Sequence, residues 1–250
     1  MQLTDAQLDR YARHIVLKEV GGAGQAKLLA ASVAVVGAGG LGSPCLLYLA
    51  AAGVGRLTVI DDDDVALSNL QRQVLYGTAD VGRAKTASTV AALAWINPDV
   101  VVTPVARRLD ADNAADLLAG HDVIADGSDS FATRLTVADT ALALRLPLVS
   151  AAVGPFEGQL AAFRGWEAGQ PCYRCFVGND PGRDAASCAD VGILGAVAGV
   201  LGSLQALEVI RAITGFGPDR AGTLLLFDAL ALRMRTLRLV KDPACPACAG

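Results

Sequence analysis

Short runs of small and β-branched apolar residues alternate with longer stretches of helical spacing through the first 153 positions. Runs at 32–36, 57–60, 100–105, 123–126 and 147–153 predict buried strands. Segments 40–52, 82–96 and 131–144 carry helical spacing; Gly53 with Gly55, and then Asn97-Pro98, close the first two. Thr4 is placed to N-cap a helix running to about His14. Alternation of this kind implies a parallel sheet with right-handed crossovers. Segment 67–77 has no clean period and reads as a loop with a helical turn. After residue 155 the pattern changes: 159–164, 223–228 and 233–240 read as strands with shorter, antiparallel connections, and a long helix at 191–214 separates the first from the others. Residues 165–190, rich in Gly, Pro and Asp, read as a mobile surface loop, so 1–250 is expected to be a single domain.

Composition narrows this picture. Hydrophobic residues make up 53% of the 250, above the roughly 45–50% of ordinary domains, as expected of a parallel sheet covered on both faces. The formal net charge is −4 and no basic tract exists, which argues against a nucleic-acid partner. The polar N-terminal stretch MQLTDAQLDRYARH does not read as a signal peptide, so none is expected. The longest apolar run, 193–204, falls short of a membrane span, and Gln205, Glu208 and Arg211 follow it. A cytoplasmic protein without membrane association, with one strongly buried helix, is the expectation.

Candidate chemistry begins at VVGAGGLGSP, residues 35–44. Gly37, Gly39 and Gly42 match G-x-G-x-x-G between a predicted strand and a predicted helix. Glycine there lets backbone approach a phosphate, and the helix N-terminus offers unpaired N–H groups. Asp61, at the end of the second strand, is placed to accept hydrogen bonds from ribose hydroxyls. The motif does not separate NAD from ATP. Three charged residues fall near the predicted strand ends: Arg72 in SNLQRQ, Lys85 in GRAKT and Asp129 in DGSDS. Two cations and a carboxylate at that edge suit a triphosphate with Mg²⁺, although each taken singly is an ordinary surface charge.

Six cysteines bear on the remaining chemistry. PCYRC, residues 171–175, holds the C-x₂-C pair Cys172-Tyr-Arg-Cys175; Cys245-Pro-Ala-Cys248 is a second. Two such knuckles supply the four thiolates of a closed structural Zn²⁺ site, here as a clamp between distant segments; a redox pair or unliganded thiols are the rivals. Cys45, among apolar helix positions, reads as core filler, whereas Cys188 in PGRDAASCADVG is either inert or a nucleophile in acyl or sulfur transfer.

In their order, RYARH, GAGGLGSP, DDDDVALSNLQRQ, GRAK, GSDS, PCYRC and CPAC resemble the ThiF/MoeB/HesA adenylyltransferases, relatives of the ubiquitin-activating enzymes, over essentially the whole chain. The resemblance implies a Rossmann-like α/β sheet, parallel in its N-terminal part and antiparallel in its C-terminal part, with helices on both faces. It implies an activity too: ATP-dependent adenylation of the C-terminal glycine carboxylate of a small ubiquitin-like sulfur carrier ending in Gly-Gly, for thiocarboxylate formation in thiamine or molybdopterin biosynthesis. By the same resemblance Gly40 lies in the phosphate turn and Asp61 holds the ribose. Ser68, Asn69, Leu70, Gln71 and Arg72 form a nucleotide-contacting segment, and Arg72 and Lys85 meet phosphate. Asp129 coordinates Mg²⁺, Arg13 reaches the partner subunit's ATP in a homodimer, Cys172, Cys175, Cys245 and Cys248 bind zinc, and Cys188 matches the loop cysteine that joins the carrier covalently. The family's T-D-N is Ser128-Asp129-Ser130 here, which replaces an amide by the hydroxyl of Ser130. No rhodanese-like sequence follows the second knuckle, so the sulfur donor is expected to be a separate protein. An already ionised carboxylate needs alignment and charge neutralisation rather than acid–base help, so neither His14 nor His121 is expected to act. Two other readings remain at this level: an NAD-dependent oxidoreductase and a non-catalytic scaffold that keeps nucleotide and metal for structure.

Overall fold

The computed structural model describes residues 3–178 and 192–248. Within them, eight strands form one sheet: β1 (Ser32–Val36), β2 (Arg56–Ile60), β3 (Val101–Val105), β4 (Val123–Asp126), β5 (Leu148–Val153), β6 (Glu157–Phe163), β7 (Thr223–Asp228) and β8 (Arg233–Arg238). Their spatial order is β3-β2-β1-β4-β5-β6-β7-β8. From β3 to β5 all pairings are parallel; β6, β7 and β8 add antiparallel. The mixed sheet read from the sequence is therefore the sheet observed.

Burial explains the strand sequences. β1 is SVAVV and buried at all five positions, because helices cover both faces of its part of the sheet. Val33 and Val35 pack with Leu46 and Leu49 of α4 (Gly42–Ala51) and with Leu201 and Val209 of α9 (Gly195–Thr214). Ala34 and Val36 face the other layer, with Leu118 of α6 (Ala114–Leu118), Leu135 and Ala138 of α7 (Phe131–Leu144) and Tyr173 of α8 (Tyr173–Val177). The two edges differ from the centre. β3 carries Pro104, tolerable where an edge strand needs no further N–H donor, and β8, RMRTLR, is exposed throughout.

Several elements differ from the expectation, each for a local reason. The first helix divides at Tyr11 into α1 (Asp5–Arg10) and α2 (Ala12–Ile15). Thr4 does cap α1, its Oγ accepting from the Gln7 N–H while the Gln7 side chain accepts from the Thr4 N–H. The Tyr11 side chain then turns into the core, where its hydroxyl accepts from Asn97. A Cβ on Gly53, whose φ is +80°, would lie 2.4 Å from that hydroxyl. Helix α3 (Gly21–Ala30) is absent from the sequence reading because GGAGQAKLLA opens with helix-weakening glycines. Tertiary contacts stabilise it: buried Gln25 donates to the Ala52 carbonyl and bonds the His14 ring. Helix α5 (Lys85–Ile96) starts at Lys85 rather than at residue 82, and α6 provides the crossover between β3 and β4. Within the presumed surface loop, 173–177 is helical and Tyr173 is buried.

Helix α9 is long and apolar enough to cross a membrane by length and composition, but 44% of that window is buried inside the protein. It is one-sided rather than buried all round. Ala198, Leu201, Gln205 and Val209 face the sheet, while Val200 and Leu207 are exposed. Gln205 donates from Nε2 to the carbonyls of Asp126 and Val149, tying α9 to β4 and β5. Gly202 marks the crossing of α9 and α4: a Cβ there would sit 2.3 Å from the Leu41 carbonyl oxygen, whereas one at Gly199 meets nothing within 4 Å. Gly202→Ala is therefore expected to cost about 1–3 kcal/mol by overpacking, and Gly199→Ala to gain up to about 1 kcal/mol through helix propensity. Chemical denaturation of both variants checks this; equal effects would contradict the close crossing.

Candidate active site

The chain leaves β1 outward to β2 and β3 and then returns to β4, on the other side of β1. Such a switch point opens a crevice at the carboxyl ends of the strands. A cleft of about 580 Å³ lies there. It is lined by Gly37, Gly39, Gly40, Asp61, Asn69 and Arg72, and also by Lys85, Asp129 and Ser130.

The glycine turn has two separable parts. Gly37 adopts φ +88°, and a Cβ on it would come within 3.1 Å of the Gly127 carbonyl; a Cβ on Gly42 would lie 1.9 Å from the Gly37 oxygen. These two glycines are needed by the fold, and Gly42 does not line the cleft. Gly39 is different: its added Cβ meets only the Gln73 amide nitrogen, at 3.7 Å. Gly40 would touch Ala198 and the aliphatic part of Arg72 at ordinary contact distances of 3.4–3.6 Å. The surface over Gly39 and Gly40 is a cradle that side chains would fill. No side chain caps the N-terminus of α4, which leaves its end available to an anion.

Asp61 directly follows β2 and is wired into the turn: Oδ2 accepts from the Ala38 N–H at 2.7 Å and Oδ1 from the Asp63 N–H at 2.9 Å. Burial pushes its pKa above the ordinary carboxylate range, with Lys85 and the two N–H donors pulling the other way. Lys85 opens α5 with its side chain only 4% exposed, 2.7 Å from Asp63 Oδ2 and 3.8 Å from Asp61 Oδ1. This ammonium is held rigidly at the cleft floor. Arg72 is more open. Its guanidinium donates to the Ser68 carbonyl at 3.1 Å and to Asn69 Oδ1 at 3.2 Å, which aims it across the glycine turn. Of the segment 68–72, only Asn69 and Arg72 line the cleft among the described residues. Ser68 supports through its carbonyl, Leu70 packs on the core, and Gln71 is exposed with its carbonyl against Gly195.

The turn after β4 presents Asp129, an exposed carboxylate with no hydrogen-bond or ion-pair partner among the described residues. Ser130 follows as the N-cap of α7, its Oγ accepting from the Thr133 N–H. Arg13, on α2, is exposed and does not line its own chain's cleft. Cys188 lies outside the described residues. Cys45 is fully buried, its thiol pushed up to about 12 by burial. His14 and His121 make structural contacts, to Gln25 and to Thr58 with Leu118.

Some wall residues escaped the sequence reading. Gln73 is buried, with an Oε1 that lacks a partner among the described residues. Arg134, one helical turn into α7, lines the cleft although it is only 8% exposed. Tyr173 and Phe176 of α8 close one side. The visible signals were an arginine just after the N-cap Ser130 and the aromatic residues within and beside PCYRC.

On the far side of α8, Cys172, Cys175, Cys245 and Cys248 converge with all four sulfurs within 4.8 Å of one another. Three of the Sγ–Sγ distances are 3.8, 3.6 and 3.5 Å. A tetrahedron with Zn–S bonds of about 2.3 Å has edges of about 3.8 Å. The cluster could hold a metal ion.

A model of the ThiF family matches residues 11–247. The chain belongs to the ThiF family. This ThiF chain is 50% identical, over 98% of its length, to the adenylyltransferase and sulfurtransferase MOCS3 of Bos taurus, and spans 54% of that protein. It is 46% identical over 99% of its length to the sulfur carrier protein adenylyltransferase of Thermus thermophilus, covering 93% of it. To the molybdopterin-synthase adenylyltransferase of Escherichia coli it is 40% identical, covering 98%. Among solved structures, E. coli MccB with ATP superposes with a TM-score of 0.83 at 22% identity, over 96% of this chain and 75% of that one, which is a likeness of fold.

The division of the ThiF glycine turn is testable by stability alone. Gly42→Ala is expected to lower the melting temperature severely, because a backbone oxygen occupies its Cβ position. Gly39→Ala should stay within about 0.5 kcal/mol of wild type. Thermal denataturation without ligand measures both, and a destabilised Gly39→Ala would contradict an open cradle.

Proposed function

We propose that this ThiF-family chain is an adenylyltransferase that uses ATP to activate the C-terminal glycine carboxylate of a small ubiquitin-like sulfur carrier. The observation that carries the reading is the convergence on one cleft of a buried Lys85, a directed Arg72 and an Asp129 without a partner among the described residues, around an open glycine cradle. The names of the full-length relatives in Thermus and E. coli support the same chemistry. A nicotinamide oxidoreductase would leave this charged set without work.

The residues suit the reaction. Asp61 keeps lone pairs for ribose hydroxyls while two N–H groups fix its carboxylate. Arg72 and Lys85 would neutralise phosphate oxygens as a carboxylate oxygen of the carrier tail attacks the α-phosphorus. The bond from the α-phosphorus to the bridging oxygen breaks, pyrophosphate leaves and an acyl-adenylate remains. No proton needs to be removed from the nucleophile, so alignment and fixed charge do the work. Lys85 costs little reorganisation, because its two aspartates already hold it. Asp129 would hold Mg²⁺, which when bound supplies charge neutralisation on the phosphates. Arg13, exposed on α2, would act across a homodimer on the partner's nucleotide, and Cys188 would form the covalent link in sulfur transfer. The four cysteines would hold a structural Zn²⁺, since a four-thiolate site leaves no open position for catalysis. A reducing, cytoplasmic setting fits thiols kept for metal.

Incubation with ATP, Mg²⁺ and ubiquitin-fold proteins ending in Gly-Gly should yield a carrier heavier by one adenylyl group, read by mass spectrometry, together with ATP–pyrophosphate exchange. Arg72→Ala is expected to slow exchange about 10²-fold or more, and Asp129→Ala to lose the Mg²⁺-dependent exchange with folding intact. Near-wild-type exchange in both variants would remove the assignment, and no exchange in wild type with any carrier would favour a scaffold.

The metal reading has its own outcome. Elemental analysis should find about one zinc per chain, and chelation should lower the melting temperature. Cys175→Ser should lose the metal. A metal-free chain of undiminished stability would contradict it.

A further inference from the structure

The Ser128 backbone is held from both sides by buried charge. Asp126, 1% exposed at the end of β4, accepts from the Ser128 N–H at 3.0 Å and from its hydroxyl at 2.7 Å. Asp126 also accepts from the Ser150 hydroxyl at 3.3 Å. Arg134 approaches from α7 and donates to the Ser128 carbonyl and, at 2.8 Å, to the Ala151 carbonyl. Arg134 has no carboxylate within ion-pair distance among the described residues, and it is 8% exposed. Burying a guanidinium in this way is costly unless its donors are used, and they are used here to fix two carbonyls rather than to neutralise an acid. Gly37 packs against the same turn, where a Cβ on it would come within 3.1 Å of the Ser128 nitrogen, and the Ser130 cap fixes its exit into α7. The residue between these anchors is Asp129, whose own carboxylate none of them engages.

We infer that Arg134 is a positioning residue for the metal-bearing turn: by pinning the Ser128 carbonyl it fixes the direction in which the Asp129 carboxylate is presented to a nucleotide-bound divalent cation. The inference rests on the adenylyltransferase reading. Arg134 does not touch the reacting atoms. It sets the peptide unit that joins Ser128 to Asp129, so its loss should be felt in the cation dependence of nucleotide binding rather than in nucleotide binding as such. A group that only filled space would change stability and leave that dependence alone.

The experiment is calorimetric titration of the full chain with ATP, with and without Mg²⁺, for wild type, Arg134→Gln and Arg134→Lys. Wild type should bind ATP more tightly with Mg²⁺. In Arg134→Gln that magnesium-dependent gain should fall about 10-fold, the usual cost of losing a group that orients a ligand carboxylate, with metal-free ATP affinity unchanged. Arg134→Lys, which keeps the charge and one donor direction, should recover part of the gain. A folded Arg134→Gln with the wild-type gain would overturn the inference. So would a loss of ATP affinity equal with and without Mg²⁺. Where the Gln variant does not fold, Arg134→Lys decides by the same criteria, an undiminished gain again overturning it. A wild-type chain that binds no ATP at all fails the proposed function, and this inference falls with it, which separates that failure from a variant-specific one.

Discussion

The ligand end of the sheet depends on one close approach, the turn after β1 pressed against the turn after β4. Neighbouring parallel strands lie about 4.8 Å apart, so the loops that leave their ends compete for the same space. Gly37 and Gly42 resolve that competition by having no side chain where the Gly127 carbonyl and the Gly37 carbonyl must sit. Gln205 stiffens the arrangement from below by bonding the carbonyls of Asp126 and Val149 on adjacent strands. The approach places the open glycine cradle beside the acidic turn, the juxtaposition on which the proposed nucleotide and cation reading rests.

Charge in the cleft is divided between fixed and open groups. Lys85 is buried and already paired, and a buried pair of this kind is retained at a desolvation cost that burial of Asp61 makes visible. In the proposed reaction its worth would be that nothing need move. Arg72 and Asp129 are the open groups, held by their backbones and neighbours but not neutralised by them. An empty site of wholly paired charges would bind a nucleotide poorly, and one of wholly unpaired charges would strain the fold. The arrangement here falls between the two.

What the sequence made legible was local. Strand runs, the strand-to-helix glycine turn and two C-x₂-C pairs each carry their signal within a few residues, so β1, α4 and the cysteine cluster were readable. Helix α3 was not, because Gly21, Gly22 and Gly24 weaken its propensity and its stability comes from the Gln25 contacts. The division at Tyr11 was hidden for the same reason: the pull is a hydroxyl partner, Asn97, far along the chain. In the site, Lys85, Arg72 and Asp129 stood out as charges at predicted strand ends, whereas Arg134 did not, since a lone arginine inside a helix looks like a solvated surface residue. Only the fold shows that its helix face turns inward. The roles of Leu70 and Gln71 illustrate the reverse: a contiguous motif places Asn69 and Arg72, three residues apart, in the cleft and uses the others for support.

The cysteine cluster joins residues 73 apart in sequence at Cys172 and Cys245. Closing a loop of that length costs about 4 kcal/mol of chain entropy, which four metal–thiolate bonds can exceed several-fold. The joint matters for more than stability, because α8 lies within it. Tyr173 sits between Cys172 and Cys175, packs edge-on against Phe163 of β6, and faces Arg134. One knuckle therefore also sets the cleft wall formed by Tyr173 and Phe176. On the proposed reading, a metal held by the four cysteines would take no part in the chemistry yet would shape the path of a polypeptide tail to the nucleotide, because the cluster is built on the same short helix as the wall of the cleft.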